Sequence, residues 1–225
     1  MTLEQGKVFV QEEGDAWFKR NAGKLRATGQ AMQSEEVQYI LKTLAPFASR
    51  MKRVLEIGCS NGLKLEALCD QFNAAGVGVD PSSAAVQAGN MREKTAELTL
   101  HVGTSDKLLC ESRSFDLVHF AFCLYLVDRN ALMQSLAEAD RVLKPGGFLV
   151  ITDFDPSVGH KRPYSHYEGL FSYKQDYAAF YTNSALYHLV GKHSYSHNGS
   201  SFDESPDERV ATSVLYKEAA PYLSR

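Results

Sequence analysis

The sequence has few of the features that mark extracellular, membrane-spanning or metal-binding chains. Its four cysteines show no C-x-x-C spacing, so reduced thiols in a cytoplasmic protein are expected. The longest apolar stretch, residues 117–127, is interrupted by His119 and falls well short of the roughly 20 residues that span a bilayer. The acidic N-terminus has no apolar core of signal-peptide length. We therefore expect no membrane attachment and a cytoplasmic location.

No charge of one sign dominates the chain. Lys and Arg total 24 against 27 Asp and Glu, which gives a formal net charge of -3. Nucleic-acid affinity that is independent of sequence needs many cations facing phosphates, so no nucleic-acid partner is expected. Hydrophobic residues make up 44% and charged residues 23% of the 225 residues. This composition is typical of a globular protein, and the length suits one α/β unit with extra helical material.

Short apolar runs alternate with helical patterns through the first two thirds of the chain. Val37, Ile40, Leu41 and Leu44 recur with the spacing of an amphipathic helix. The runs predicted as buried strands are residues 53–57, 75–79, 98–102, 115–120 and 148–153. Strands that alternate with helices predict right-handed crossovers and a parallel sheet covered on both faces.

The pattern changes after Asp153. Residues 154–174 are rich in Tyr, His, Gly and Pro and show no periodicity, and a helix is predicted over about 175–184. Two extended runs, 187–197 and 209–217, then flank a polar stretch. They predict a terminal antiparallel strand pair added to the parallel sheet.

The turn after the first predicted strand is built for a ligand with an anionic group. Gly58 permits a tight turn, and Gly62 lets the next helix begin close to the sheet. Amides at the start of that helix favour an anion, either a pyrophosphate or a carboxylate. A dinucleotide fingerprint needs glycines where this chain has Ser60 and Leu63. The spacing therefore favours a ligand without phosphate.

Asp80 ends the second predicted strand. A carboxylate at this position can accept hydrogen bonds from both hydroxyls of a ribose. That role is common to several nucleoside cofactors, so Asp80 does not decide between them. The alternative is that Asp80 caps the helix that begins near Pro81.

Four ordered segments resemble the motif series of class I S-adenosylmethionine-dependent methyltransferases of the type 11-like kind. They are V-L-E-I-G-C-S-N-G, G-V-G-V-D-P-S, S-F-D-L-V and L-K-P-G-G-F-L-V-I, within about residues 53–153. The resemblance implies an α/β, Rossmann-like, seven-stranded and mostly parallel sheet with strand order 3-2-1-4-5-7-6 and helices on both faces. It also implies S-adenosylmethionine as cofactor and S-adenosylhomocysteine as product.

The resemblance also implies a set of cofactor contacts. Glu56, Gly58 and Gly62 would surround the methionine part, and Asp80 would bind the ribose. The third segment departs from the family's G-D-A, because Thr104 stands in place of the acid; adenine contact then falls to the Ser105 backbone and the Thr104 hydroxyl. The cofactor-binding residues predicted in the strand-end segments are Glu56, Gly58, Cys59, Ser60, Asn61, Gly62, Asp80, Pro81, Ser82, Gly103, Thr104, Ser105, Phe120 and Ala121.

The first 50 residues are predicted to form a helical lead-in and lid, with residues 51–225 as the methyltransferase domain. Residues 14–21 resemble the lead-in helix of some methyltransferases. Trp17 would then cap the cofactor, and Arg20 or Asn21 would reach its carboxylate. The alternative is an amphipathic helix whose Trp17 and Phe18 belong to the core.

The methyl acceptor is expected beyond the fourth and fifth strands. Candidate bases are His160 and His166, because imidazole titrates near neutral pH; the alternative is that both are hydrogen-bonded loop residues. His193 and His197 share a strand face with Tyr195 but lack a third ligand, so a solvated face is predicted and no metal site. The residues predicted to line the acceptor pocket are Tyr125, Asp153, Asp155, Tyr164, Tyr167 and Lys174.

The sequence thus favours a methyltransferase that acts on an oxygen or nitrogen of a small polar metabolite, with a carbohydrate as one candidate. Two alternatives stay open. One is an NAD-dependent oxidoreductase on a similar sheet, which Ser60 and the terminal strand pair disfavour. The other is a non-catalytic protein that binds S-adenosylmethionine and acts through a partner.

Overall fold

A mixed sheet of seven strands carries the site. The computed structural model describes residues 4–23 and 28–222. The strands are β1 (Arg53–Ile57), β2 (Ala75–Asp80), β3 (Leu98–Val102), β4 (Phe115–Ala121), β5 (Leu143–Phe154), β6 (His160–Pro163), β7 (Phe171–Lys174), β8 (Tyr187–Ser196) and β9 (Arg209–Lys217). The α-helices are α1 (Gln5–Val8), α2 (Gly14–Asn21), α3 (Thr28–Met32), α4 (Glu35–Leu44), α5 (Leu63–Phe72), α6 (Ser83–Met91), α7 (Leu132–Val142) and α8 (Ala179–Thr182).

The order of strands in the main sheet is β3-β2-β1-β4-β5-β9-β8. The first five strands are parallel, β9 is antiparallel to β5, and β8 is antiparallel to β9. Because β6 and β7 form a separate hairpin, the main sheet has the order 3-2-1-4-5-7-6 when its own strands are counted. The predicted fold class, strand order and terminal antiparallel pair are confirmed.

Hydrophobic side chains leave both faces of the sheet and pack under helices. From β1, Leu55 packs in a cluster with Leu136 of α7, whereas Val54 packs on the other face with Ile40 of α4 and Leu65 of α5. All five are at most 5% exposed. Alternation along a strand sends successive side chains to opposite faces, so a strand covered on both faces reads as one apolar run.

A helical run precedes the sheet and lies against α6. It consists of α1, a π-helical turn (Phe9–Glu13) and α2. A Cβ added to Gly14 would lie 3.2 Å from the Ser82 amide nitrogen, so glycine permits this close approach. Asp15 fixes the contact: its carboxylate accepts hydrogen bonds from the Ser82 hydroxyl at 2.7 Å and from the Ala84 amide at 3.0 Å.

Three features differ from the pattern read in the sequence. Residues 154–174 contain the β6–β7 hairpin, which hydropathy does not reveal because β6 is exposed throughout and β7 buries the polar Ser172 and Lys174. Strand β5 begins at Leu143, because Gly146, at φ +79°, lets the chain pass a bulge without leaving the sheet. The helix expected over 175–184 is shortened to α8. None of the described helices has the length and apolar character that crossing a bilayer requires.

Candidate active site

A cavity of about 990 Å³ lies at the carboxyl ends of the parallel strands. This is the edge at which open parallel sheets bind ligands, on either side of the point where strand order reverses. Here that point lies between β1 and β4. The helical run at the N-terminus supplies part of the wall through Phe9, Val10, Gly14 and Trp17.

The loop from β1 to α5 alternates left-handed residues with ordinary ones. Gly58, Ser60 and Gly62 have φ of +79°, +49° and +77°. At Gly58 a Cβ would lie 2.7 Å from the Cys123 Cβ, so glycine is required by space as well as by φ. Ser60 adopts a conformation that costs a non-glycine residue energy, and its amide donates to Asp80 Oδ2 at 2.7 Å. The strained loop is therefore held by the predicted ribose-binding carboxylate.

Asp80 links the loop between β1 and α5 to the start of α6, and it lines the cavity. Its Oδ1 accepts from the Ser82 amide at 2.9 Å, while Oδ2 accepts from Ser60. Burial raises the pKa of Asp80 to about 6, against the lowering effect of these two amides. The helix-cap alternative does not describe Asp80, because the N-cap of α6 is Ser82, whose hydroxyl accepts from the Ala85 amide at 3.0 Å.

Three residues of the cavity wall have a buried side-chain oxygen without a hydrogen-bond partner. Glu36 Oε1 is one of them, but it forms an ion pair with Lys64 Nζ at 2.5 Å. The other two, Glu56 Oε2 and Ser60 Oγ, have no partner among the described residues. A buried acceptor without a partner is costly unless a ligand or water satisfies it. The ammonium group of the methionine part of S-adenosylmethionine matches the charge of Glu56. The residues at this end of the cavity therefore fit that cofactor.

The end of β3 forms another part of the wall through Gly103, Thr104, Ser105 and Asp106. The Ser105 hydroxyl donates to the Ser135 hydroxyl at 2.7 Å, so this side chain is engaged with α7. The adenine contacts predicted for the Ser105 backbone and the Thr104 hydroxyl stay predictions.

An aromatic wall lies beyond β4 and β5. It is formed by Phe122, Tyr125, Phe154 and His197, whose ring centroids lie 5.0–5.3 Å apart in five pairs. Phe122, Tyr125 and His197 line the cavity, and Tyr195 lines it from β8. Burial raises the pKa of Tyr125 well above its ordinary value, so its hydroxyl stays neutral. The wall offers flat apolar surfaces with a few polar edges.

Comparison with known proteins agrees with this geometry. Residues 54–147 match a family described as a methyltransferase domain. This part of the chain is therefore similar to methyltransferase domains. Among curated proteins, it is 33% identical to the phthiotriol/phenolphthiotriol dimycocerosates methyltransferase 1 of Mycobacterium ulcerans over 47% of this chain and 39% of that protein. It is 31% identical to the fatty-acid O-methyltransferase of Mycolicibacterium smegmatis over 53% of this chain and 43% of that one. The chain therefore spans about two fifths of the length of these relatives.

Solved methyltransferase structures share the fold over nearly the whole chain. The 1,6-didemethyltoxoflavin-N1-methyltransferase of Burkholderia thailandensis, solved with 1,6-didemethyltoxoflavin and S-adenosylhomocysteine bound, superposes with a TM-score of 0.69 at 17% identity. The alignment covers 97% of this chain and 92% of that one. A putative methyltransferase in complex with the Haloferax volcanii Trm112 activator superposes with a TM-score of 0.63 at 21% identity, over 95% of this chain and all of that one. The predicted Rossmann-like fold of the methyltransferases is thereby confirmed.

Most predicted cofactor residues of the methyltransferase domain line the cavity, and several do not. Gly62 lies outside the lining and serves as the N-cap of α5, while Phe120 is fully buried in the hydrophobic core on the α7 side. The Ser82 hydroxyl accepts from the Ala85 amide and donates to the Asp15 carboxylate. The described residues of the predicted set that do line it are Glu56, Gly58, Cys59, Ser60, Asn61, Asp80, Pro81, Gly103, Thr104, Ser105, Ala121 and Trp17.

Arg20 and Asn21 do not reach the cavity. Arg20 pairs with Glu13 and also donates to the Tyr164 hydroxyl, and Asn21 donates to the Trp17 carbonyl at 2.9 Å. Arg20 and Asn21 lie three and four residues after Trp17, which is about one helical turn. Their donor groups are taken up by the local partners named above. The prediction that either binds the cofactor carboxylate is not supported by this geometry.

Both candidate bases lie away from the cavity. His160 is on the exposed hairpin strand β6, where Nε2 donates to Asp207 Oδ1 at 2.6 Å. His166 is exposed and lies edge-on against the Tyr164 ring. His160 is thus hydrogen-bonded, as in the alternative interpretation, but it lies on a strand and not in a loop. His166 packs against Tyr164. The hairpin turns this segment outward, so neither imidazole faces a bound acceptor.

Of the predicted acceptor residues, Tyr125 alone among those described lines the cavity. Asp153 lies beneath it and accepts from the Tyr125 and Phe154 amides, and burial raises the pKa of Asp153 to about 7. The other predicted residues are held by partners elsewhere: Asp155 by Lys192, Tyr164 by Glu13, Tyr167 by Glu12, and Lys174 by the Asp207 carbonyl.

Tyr195, His197 and Phe122 were missed as site residues. The sequence pattern assigned the face of β8 to solvent, whereas Tyr195 is 8% exposed and packs with Phe154 and Val210. A topological signal was present. Two successive antiparallel steps, β5 to β9 and β9 to β8, return β8 to the direction of the parallel strands. The carboxyl end of β8 therefore meets the same edge as the others.

No cluster of three or more His, Cys, Asp or Glu side chains suited to a metal ion occurs among residues 4–23 and 28–222.

Proposed function

We propose that this protein is an S-adenosylmethionine-dependent methyltransferase that transfers a methyl group to an oxygen or nitrogen of a small molecule. The observation that carries the proposal is the position of Asp80. Its carboxylate holds both the Gly58–Gly62 loop and the start of α6, and lines the cavity beside the unpartnered Glu56 Oε2. Residues 1–50 would then be the lead-in and lid, and residues 51–225 the catalytic domain.

The cofactor residues have distinct roles in this proposal. Glu56 would bind the cofactor ammonium, Asp80 the ribose hydroxyls, and Trp17 would cover the site from α2. The bound cofactor supplies an electrophilic methyl group on a sulfonium. The protein contributes by holding the acceptor in line with that methyl group and by excluding water. A base is needed only when the acceptor carries a proton at the reactive atom.

The aromatic wall supports an acceptor with a flat or apolar portion. Phe122, Tyr125 and His197 line the cavity with aromatic rings. They follow or flank β4 and β8, which lie on the other side of β1 from β2 and its terminal Asp80. The volume of about 990 Å³ is at the upper end of the usual range for small-molecule sites, which suits a cofactor and an acceptor together. The relatives reported above are named for a fatty acid, phthiotriols and a toxoflavin precursor, and none for a carbohydrate. We therefore do not retain the carbohydrate among the candidates.

Thermal unfolding with candidate cofactors tests the proposal. A ligand at about 100 times its dissociation constant should stabilise the fold by roughly 2.7 kcal/mol. We expect S-adenosylmethionine and S-adenosylhomocysteine to raise Tm and NAD to leave it unchanged. Asp80→Ala should lose the ligand-induced shift, while the surface variant Glu93→Gln keeps it.

The alternative outcomes are separable. Stabilisation by NAD would indicate the oxidoreductase alternative. Stabilisation by S-adenosylmethionine in both the wild type and Asp80→Ala would contradict the ribose assignment. Once cofactor binding is established, formation of S-adenosylhomocysteine is measured with a panel of fatty acids, phenols and N-heteroaromatic compounds. Turnover with a member of the panel distinguishes an enzyme from a non-catalytic binding protein.

A further inference from the structure

A chain of four side-chain hydrogen bonds crosses the sheet beneath the cavity. Glu56 Oε1 lies 3.2 Å from His119 Nδ1, and His119 Nε2 lies 3.1 Å from Thr152 Oγ1. Thr152 Oγ1 lies 3.0 Å from Thr212 Oγ1, which lies 3.2 Å from the Tyr195 hydroxyl oxygen. Every distance is within the range of a hydrogen bond.

Strand register places the members of this chain side by side. Glu56 and His119 are direct partners between β1 and β4, and Thr152 and Thr212 are direct partners between β5 and β9. The first four members are fully buried, and Tyr195 is 8% exposed. Its two terminal residues, Glu56 and Tyr195, both line the cavity, one at the cofactor end and the other at the aromatic wall.

The number of available protons determines which group donates and which accepts in each hydrogen bond of this chain. As a carboxylate, Glu56 can only accept, so neutral His119 donates from Nδ1 and accepts at Nε2. Thr152 must then donate to Nε2, Thr212 to Thr152, and Tyr195 to Thr212. Each hydroxyl has a single proton, so the Tyr195 oxygen is left with only lone pairs for a ligand.

We propose that this chain removes the proton of the methyl acceptor, with Tyr195 as the group that contacts the acceptor and His119 as the final proton acceptor. The inference rests on the proposed methyltransferase function. It implies that the reactive atom of the acceptor carries hydrogen, as in a hydroxyl, phenol or N–H group.

The step conserves atoms and charge. The acceptor atom takes the methyl group as the carbon–sulfur bond breaks, and the sulfonium becomes a neutral thioether. The proton of the acceptor passes to the Tyr195 oxygen as the Tyr195 proton moves to Thr212. The Thr212 proton moves to Thr152, and the Thr152 proton moves to His119 Nε2. One positive charge leaves the sulfonium and one arises on the imidazole.

Glu56 stabilises the resulting imidazolium through the 3.2 Å contact with Nδ1. Other charged groups near His119 are Glu36 from α4 and, beside Glu36 and Glu56, Lys64 from α5. Protonation of His119 reverses the direction of every hydroxyl. Nε2 then donates to Thr152, Thr152 to Thr212, and Thr212 to Tyr195. The hydroxyls are therefore required for buried His119 to hold a second proton.

The test is the pH titration of the His119 ring, followed by NMR in full-length protein with S-adenosylhomocysteine bound. Thr152→Val should lower the midpoint of the His119 titration by about one pH unit, since the protonated Nε2–H loses its buried acceptor. Tyr195→Phe should also lower it, by a smaller amount, because the reversed Thr212 hydroxyl loses its acceptor. Thr152→Ser keeps a hydroxyl and should restore the wild-type midpoint.

Tyr181→Phe is the matched control. Tyr181 is 5% exposed, against 8% for Tyr195, and its hydroxyl donates to the Leu136 carbonyl, which is not part of the hydrogen-bonded chain. It should leave the His119 midpoint unchanged. The relay is overturned if Tyr195→Phe behaves like Tyr181→Phe, or if His119 keeps one protonation state throughout. S-adenosylhomocysteine affinity is measured by calorimetry in the same samples. If the wild-type protein does not bind S-adenosylhomocysteine, the proposed function is contradicted. If it binds this ligand but Tyr195→Phe does not shift the His119 midpoint, only the relay is contradicted.

Discussion

At the scale of single residues, the protonation of Asp80 is expected to control cofactor affinity. Burial raises the pKa of Asp80 to about 6 in the free protein. The ionised carboxylate can accept from both ribose hydroxyls, whereas protonation turns one of its two acceptor oxygens into a donor and so weakens ribose binding. The dissociation constant for S-adenosylhomocysteine should therefore be constant above about pH 7 and rise toward tenfold per pH unit below about pH 6.

Calorimetry across this pH range, in buffers with different ionisation enthalpies, measures both the affinity and the protons released on binding. Asp80→Asn serves as the matched variant, because it keeps the size of the side chain and removes its titration. It should bind weakly with an affinity that no longer changes near pH 6. A wild-type affinity that stays constant from about pH 8 to about pH 5 would remove Asp80 from the ribose site.

The sequence could predict the cofactor end of the site because its residues are neighbours in the chain. Gly58 and Ser60 follow one strand and Asp80 ends the next, so local turn chemistry and strand ends indicate them. Tyr195 lies near the end of β8 and His197 follows that strand, more than 40 residues after the end of β5. The pairing of β8 with β9 decides which edge of the sheet these two residues reach. The polar chain through His119 depends on register across five strands, which no local pattern encodes.

At the scale of secondary-structure elements, the contact between α2 and α6 is expected to retain the cofactor. Asp15 accepts hydrogen bonds from Ser82, Ser83 and Ala84 at the start of α6, where the helix dipole also favours a negative charge. Asp15→Ala should loosen α2 and speed the dissociation of S-adenosylhomocysteine by roughly three- to tenfold, with the fold intact.

The single tryptophan gives a direct measurement of this effect. Trp17 lies on α2 in the cavity wall, so its fluorescence should change on ligand binding and report the dissociation rate in stopped-flow displacement. Ser83→Ala removes one of the three hydrogen bonds and should have an intermediate effect. Equal dissociation rates in the wild type and Asp15→Ala would show that α2 does not retain the ligand.

The elements of the sheet could be predicted because their hydropathy follows their burial. Strand β4 is buried at six of its seven positions and reads as an apolar run. The hairpin of β6 and β7 has no such signal, because β6 is exposed and β7 turns Ser172 and Lys174 inward. Lys174 is buried by its contacts with the Phe154 ring, 3.7 Å from Nζ, and with the Asp207 carbonyl. These partners are distant in sequence, so the residue types alone indicate a polar loop.

At the scale of the whole molecule, two buried carboxyls should shift maximal stability to mildly acid pH. Burial raises the pKa of Asp153 to about 7 and that of Asp80 to about 6, whereas an unfolded aspartate titrates near 3.9. The folded state therefore binds these protons at higher pH than the unfolded state. The penalty for burying two charges is present above about pH 7 and is lost as pH falls through these values.

The free energy of unfolding in the absence of ligand should accordingly rise by up to a few kcal/mol as pH falls from about 8 to about 5. Below about pH 4 it should fall again. The pKa of Asp15 is lowered by the Ala84 amide and that of Asp207 by His160, so the stability that these ionised carboxylates contribute is lost on protonation. Urea unfolding at a series of pH values measures the curve. The Asp153→Asn substitution should cost less at pH 8 than at pH 5, because at pH 8 it also removes a buried charge. A cost that is the same at both values, as expected for Glu93→Gln on the surface, would show that Asp153 is ionised in the folded protein throughout this range.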